Sequence, residues 1–139
     1  MPGTHGEHVF VYGTLVDPAV LDGVLGHRHL GERLRARLPG YARRTSAGFD
    51  YPYIVPSPDA AVDGILVLDL STADVEALDA YEDVGVGTYA RRRVAVEAWG
   101  CGPHALRVEA HTYVAGSALA RQAAAEMAAG DGPAPSTPR

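Results

Sequence analysis

The 139-residue chain has a single cysteine, Cys101. One cysteine excludes an internal disulfide framework and any metal site built on several thiolates. Cys101 lies between Gly100 and Gly102, ahead of Pro103, in an expected hairpin loop. No base stands near it to make a thiolate, so it reads as an incidental loop thiol. Positive charge is also scarce: 12 basic residues face 17 acidic ones, for a formal net charge of -5. Nucleic acid and anionic membrane surfaces want clustered positive charge, so neither is an expected partner. Arginines do gather at positions 33, 35, 37, 43 and 44 and at 91 to 93, but several alternate with apolar residues, as on the wet face of a strand. No hydrophobic run reaches membrane-span length, and the first residues hold neither a charged n-region nor an apolar h-region. The expected compartment is the cytoplasm. The histidines, at 5, 8, 27, 29, 104 and 111, have no ligand-like spacing, so no metal is expected. Ser46, Ser57 and Ser71 lack a nucleophile-elbow setting.

What is present is ordinary for a globular domain: 47% hydrophobic and 21% charged residues, in a length that suits one core. Residues 1–7 are a loose polar leader, and His8 to Tyr12 forms a first strand ended by Gly13. Asp17 and Pro18 open a short helix as N-cap and first helical residue, with Gly26 closing it. From His29 to Arg44 the pattern is strand-like but broken at Pro39-Gly40. The stretch GFDYPYIVPSPDAAVDG, with three prolines, predicts a loop, a short extended piece at Tyr53 to Val55, and another turn. Gly64 to Leu70 is a strand. Ser71 caps a second helix, with Asp74 as the partner of an imperfect capping box.

Two alternating runs follow as a hairpin, one placing Val94, Val96 and Ala98 on a common face, the other Leu106, Val108, Ala110, Thr112 and Val114. Residues 8–116 thus make the folded domain. In 117–139, Ala118 to Ala129 can form a helix and Gly130 to Arg139 reads as a disordered tail. The fold class is α+β, with a mostly antiparallel sheet curled toward a barrel.

One residue of the second helix stands out. With Val75 at the centre of the buried face, Leu78 lies about 60° away and Glu82 only about 20° away, at roughly 100° per residue. A carboxylate so placed is expected to have its pKa raised by desolvation and by the negative helix C-terminus, and then to exchange protons with an amine near neutral pH. Three plainer readings stay open. The helix can fray before Glu82, Glu82 can pair with Arg91 or Arg92, or the phase can be off by a residue.

FVYGTL at the first strand, YPYIVP with VDGILV, and ALDAYEDVGVGTYARRRVAV occur in the order and spacing of the gamma-glutamylcyclotransferase-like family. From about Val9 to Tyr113 the chain resembles that family. The resemblance implies a small mixed, mostly antiparallel β-barrel with short flanking helices and a cavity at one end. It implies that the loop Tyr12, Gly13, Thr14 and Leu15 holds a γ-glutamyl group through backbone N–H groups. It implies Glu82 as general base and acid in an intramolecular aminolysis that releases 5-oxoproline and a free amine, with no metal or cofactor. Tyr51, Tyr89 and Tyr113 are candidate cavity residues, with aromatic packing as the other reading of each.

The expected partner is a small γ-glutamyl substrate; the oligomeric state is not legible. Asp83 departs from the family's usual glycine after the glutamate, and VDPAVLDG lacks its usual Gly and Asn. A non-catalytic binding or interaction module on the same fold is the alternative function.

Overall fold

The computed structural model describes residues 6–46, 49–100 and 103–130. Cys101, most of the expected leader and the segment beyond Gly130 lie outside the described residues. The described chain runs β1 (Glu7–Val11), a 3-10 turn (Thr14–Val16), α1 (Pro18–Leu25), β2 (Arg33–Ser46), β3 (Phe49–Leu70), α2 (Thr72–Tyr81), a second 3-10 turn (Val84–Val86), β4 (Tyr89–Trp99), β5 (Leu106–Ala115) and α3 (Ser117–Gly130). Among the described residues no helix is long and apolar enough to cross a membrane.

The five strands close into a barrel in the order β1-β3-β2-β4-β5. All pairings are antiparallel except the closing one, where Val9 of β1 meets His111 of β5 in parallel. This is the mixed, mostly antiparallel α+β barrel that the sequence predicts. Alternation along β1 sorts its side chains into two cores. Phe10 and Tyr12 join Leu38, Ile54, Leu66, Val96 and Val114 inside the barrel. Val9 and Val11 face outward and join Leu21, Val75, Leu78, Tyr113 and Leu119 beneath the helices. Leu119, 2% exposed, makes the first turn of α3 part of this outer core.

Local chemistry accounts for the helix ends. Asp17 accepts from the Ala19 N–H at 2.9 Å, Pro18 takes the first helical position, and Gly26 closes α1 at φ 80°. The capping box at α2 is complete: the Asp74 N–H donates to Ser71 Oγ and the Ser71 N–H to Asp74 Oδ2, both at 3.0 Å. An Asp therefore serves where a longer Glu is usual. The other Asp74 oxygen lies 2.6 Å from His27 Nε2, joining the end of α1 to the start of α2.

The largest correction concerns residues 49–63. The expected loop is part of β3, a continuous 22-residue strand. Pro39 pairs with Ala61 and Tyr41 with Pro56, so 57–60 stand opposite Gly40 alone; Arg44 pairs with Tyr53 and Ser46 with Phe49, so 50–52 stand opposite Thr45. Pro52 and Pro58 fall in these two register shifts, where no regular ladder bond is required of them. Among the described residues β3 pairs over this stretch with β2 only, so its other edge there tolerates a residue without an N–H. Gly40, at φ 85°, absorbs the irregularity, so Pro39-Gly40 bends β2 without ending it. Leu106, expected on the buried face, is 67% exposed; it sits at the hairpin end of β5, where only Ala98 pairs with it.

Candidate active site

β1 delivers the chain to the barrel rim. Tyr12 continues the inward alternation, and its hydroxyl donates to the Tyr113 carbonyl of β5 at 2.5 Å. Gly13 then leads into the 3-10 turn, closed by the Val16 N–H on the Gly13 carbonyl and the Asp17 N–H on the Thr14 carbonyl, both at 3.1 Å. Leu15, 4% exposed, anchors the turn in the outer core. At the open start of such a turn the N–H groups of Thr14 and Leu15 have no acceptor within the turn.

The end of α2 comes to the same rim. Leu78 is fully buried, and the Glu82 N–H donates to its carbonyl at 2.9 Å. The helix has not frayed before Glu82, which is its C-cap residue. Arg91 is engaged elsewhere: its Nε donates to Asp79 Oδ1 at 2.9 Å. Two of the plainer readings of Glu82, fraying and pairing with Arg91, are thereby set aside. The glutamate is half-buried and faces a cavity of about 180 Å³ that is also bordered by Tyr12, Gly13, Thr14, Leu15, Tyr89 and Tyr113.

Burial against these walls pushes the Glu82 carboxyl up to about 7, and the negative charge of Asp83 adds to the shift. Asp83 is the departure from the family pattern, and its backbone explains which residue types fit there. It sits in the left-handed region at φ 53° and ψ 44°, which glycine enters freely and which Asp and Asn enter more readily than other side chains. Its carbonyl accepts from the N–H groups of Val86 and Thr88, each at 3.2 Å. This turn returns the chain to the cavity at Thr88.

The tyrosines line the cavity with rings whose hydroxyls are already bonded to protein. Tyr12 donates to the Tyr113 carbonyl, Tyr89 to the Pro52 carbonyl at 2.6 Å, and Tyr113 to Asp79 Oδ1 at 2.7 Å. Burial raises the Tyr12 and Tyr113 phenols well above their usual range; for Tyr12 the nearby Tyr89 and Glu82 add to it, and for Tyr113 the bond to Asp79 does. Both stay neutral and act as donors.

The structure thus brings Glu82, the Tyr12–Leu15 loop, Tyr89 and Tyr113 together at one cavity. The side chain of Tyr51 lies outside the described residues; the adjacent Pro52 lines the wall. Sequence reasoning missed Tyr81 and Asp79. Tyr81 had a signal, since it directly precedes Glu82; in the structure its hydroxyl lies 3.1 Å from Thr14 Oγ1.

The model of the family described as gamma-glutamyl cyclotransferase, AIG2-like, matches residues 9–131, and the chain belongs to that family. AIG2-like protein A of Arabidopsis thaliana is 39% identical over 86 residues, which are 58% of this chain and 51% of that protein. A protein of Arabidopsis thaliana solved in solution superposes with a TM-score of 0.65 at 32% identity, over 78% of this chain and 67% of that one. A solved gamma-glutamyl cyclotransferase superposes with a TM-score of 0.60 at 18% identity, over 78% of this chain and 65% of that one, a likeness of fold. The chain spans about half the length of the curated relatives it matches.

Proposed function

We propose that this protein is a γ-glutamyl cyclotransferase that converts a γ-glutamyl amine or peptide into 5-oxoproline and the free amine. The observation that carries the reading is Glu82, a carboxyl raised to about 7 in the cavity it shares with the Gly13–Leu15 turn. The α-amine of a γ-glutamyl donor is mostly an ammonium at neutral pH and cannot attack until it loses a proton. A carboxylate with a pKa near 7 is matched to that task, and its conjugate acid is strong enough to protonate a departing amine.

In this scheme the α-nitrogen forms a bond to the γ-carbonyl carbon, and the bond from that carbon to the leaving nitrogen breaks. The two protons lost by the ammonium equal the two gained by the leaving group, and Glu82 passes them across. Folding the donor so that amine and carbonyl touch is a proximity effect of several kcal/mol. The N–H groups of Thr14 and Leu15 supply donors for the donor's carboxylate or for the developing oxyanion. A cavity of about 180 Å³, below the roughly 300–1,000 Å³ of drug-sized sites, suits the γ-glutamyl head and leaves the amine portion near the mouth.

The experiment is direct. The protein is incubated with a panel of γ-glutamyl amines and γ-glutamyl peptides, and 5-oxoproline is quantified. Release from at least one donor is expected. Binding without release across the panel transfers the assignment to the non-catalytic binding module.

A further inference from the structure

Asp79 is one turn ahead of Glu82 on α2 and does not border the cavity, yet two bonds converge on one of its oxygens. Oδ1 accepts the Tyr113 hydroxyl at 2.7 Å and the Arg91 Nε at 2.9 Å. Arg91 and Tyr113 are direct cross-strand partners in the β4–β5 register. A single carboxylate therefore takes a donor from each member of one strand pair. Beyond Arg91, its Nη1 lies 3.4 Å from His111 Nδ1, and His111 Nε2 lies 2.9 Å from Glu7 Oε1. Arginine has only donors, so His111 accepts at Nδ1 and donates from Nε2 to Glu7. Asp79 is the inner end of a bonded chain that crosses β4, β5 and β1.

Tyr113 makes this chain matter to the cavity. The residue is 2% exposed and lines the cavity wall, its hydroxyl is held by Asp79, and its carbonyl holds the Tyr12 hydroxyl. We propose that Asp79 is a positioning residue: by gripping Tyr113 and Arg91 together it fixes the last turn of α2, and with it Glu82, against the barrel wall. Its functional readout rests on the cyclotransferase reading above, while its structural readout does not. The bonds hold the Tyr113 ring in one orientation and keep the Glu82 side of the last turn of α2 against the barrel wall. Loosening them lets water reach Glu82, which lowers its pKa toward the ordinary carboxylate range and misaligns it with the donor amine.

Three variants test this: Asp79→Ala, Tyr113→Phe and Asp79→Asn, each read by kcat and KM for 5-oxoproline release and by NMR titration of the Glu82 side-chain carboxyl carbon. Asp79→Ala and Tyr113→Phe should lower kcat by about tenfold or more with little change in KM, the pattern of a misplaced group. In both, Glu82 should titrate at lower pH than in the wild type. Asp79→Asn keeps an acceptor oxygen for Tyr113 and should recover most of kcat and most of the titration shift. Wild-type kcat and titration in both Asp79→Ala and Tyr113→Phe, or a loss in Asp79→Asn as large as in Asp79→Ala, overturns the proposal. Tyr113→Phe removes one hydroxyl and keeps the packed ring, so it decides the matter if Asp79→Ala fails to fold. If the wild type releases no 5-oxoproline from any donor, the reaction is wrong. The Glu82 titration then decides the positioning role alone, for or against.

Discussion

Thr14 Oγ1 and the Tyr81 hydroxyl stand 3.1 Å apart, joining the turn after β1 to the end of α2 across 67 residues of sequence. The two cavity elements, the Gly13–Leu15 turn and Glu82, are the chain neighbours of this pair. The contact is exposed, so it aligns the two elements more than it stabilises the fold. Tyr81→Phe should change unfolding free energy by no more than about 0.5 kcal/mol and raise KM several-fold. Thermal melts and substrate saturation curves, run side by side, check both halves.

The charge of Asp83 is the second cause of the raised Glu82 pKa, after burial. Asp83→Asn removes that charge and keeps a side chain that tolerates the left-handed backbone at φ 53°. The Glu82 pKa should fall, though burial keeps it above the ordinary carboxylate range. The proposed reaction requires the ionised base, so the acid limb of its kcat/KM profile should move to lower pH, with the fold unchanged by circular dichroism.

Glu82 also links stability to pH. Its folded-state pKa of about 7 lies above the ordinary glutamate value of 4.5, so between these values the folded state binds more protons than the unfolded one. Stability from this group is then fully present below about pH 4.5 and is lost as pH rises through 7. Glu82→Gln abolishes this contribution. Relative to wild type, the variant should gain on the order of 2–3 kcal/mol between pH 4 and pH 8. Urea unfolding at the two pH values measures the difference, and other titrating groups cancel because they are common to both proteins. A gap that does not change with pH contradicts the assignment of a buried, raised carboxyl.

Where the chain's structure follows from local chemistry, it was legible in sequence. The caps at Asp17 and Ser71, the closing Gly26 and the helical phase that turns Glu82 inward all depend on residues within one or two turns. The antiparallel barrel followed from alternating strands and from the family motifs. What stayed hidden depends on register between distant segments. Three prolines read locally as a loop, yet the β2–β3 register shifts accommodate Pro52 and Pro58 inside a continuous β3. The hydroxyl partners of Tyr12 and Tyr113 lie 101 and 34 residues away, so no local pattern could separate their packing role from a binding one. The bonds of Asp79 to Arg91 and Tyr113 exist only once β4 and β5 pair.

The central claim is that the Glu82 carboxylate moves the protons in the cyclisation. Glu82→Gln is nearly isosteric, keeps the cavity shape and cannot take up a proton. Initial rates of 5-oxoproline release, measured at pH 7.5 on the best donor of the panel and with the fold verified, should fall by roughly 10²–10⁴. A Glu82→Gln rate within a few-fold of wild type would contradict the account.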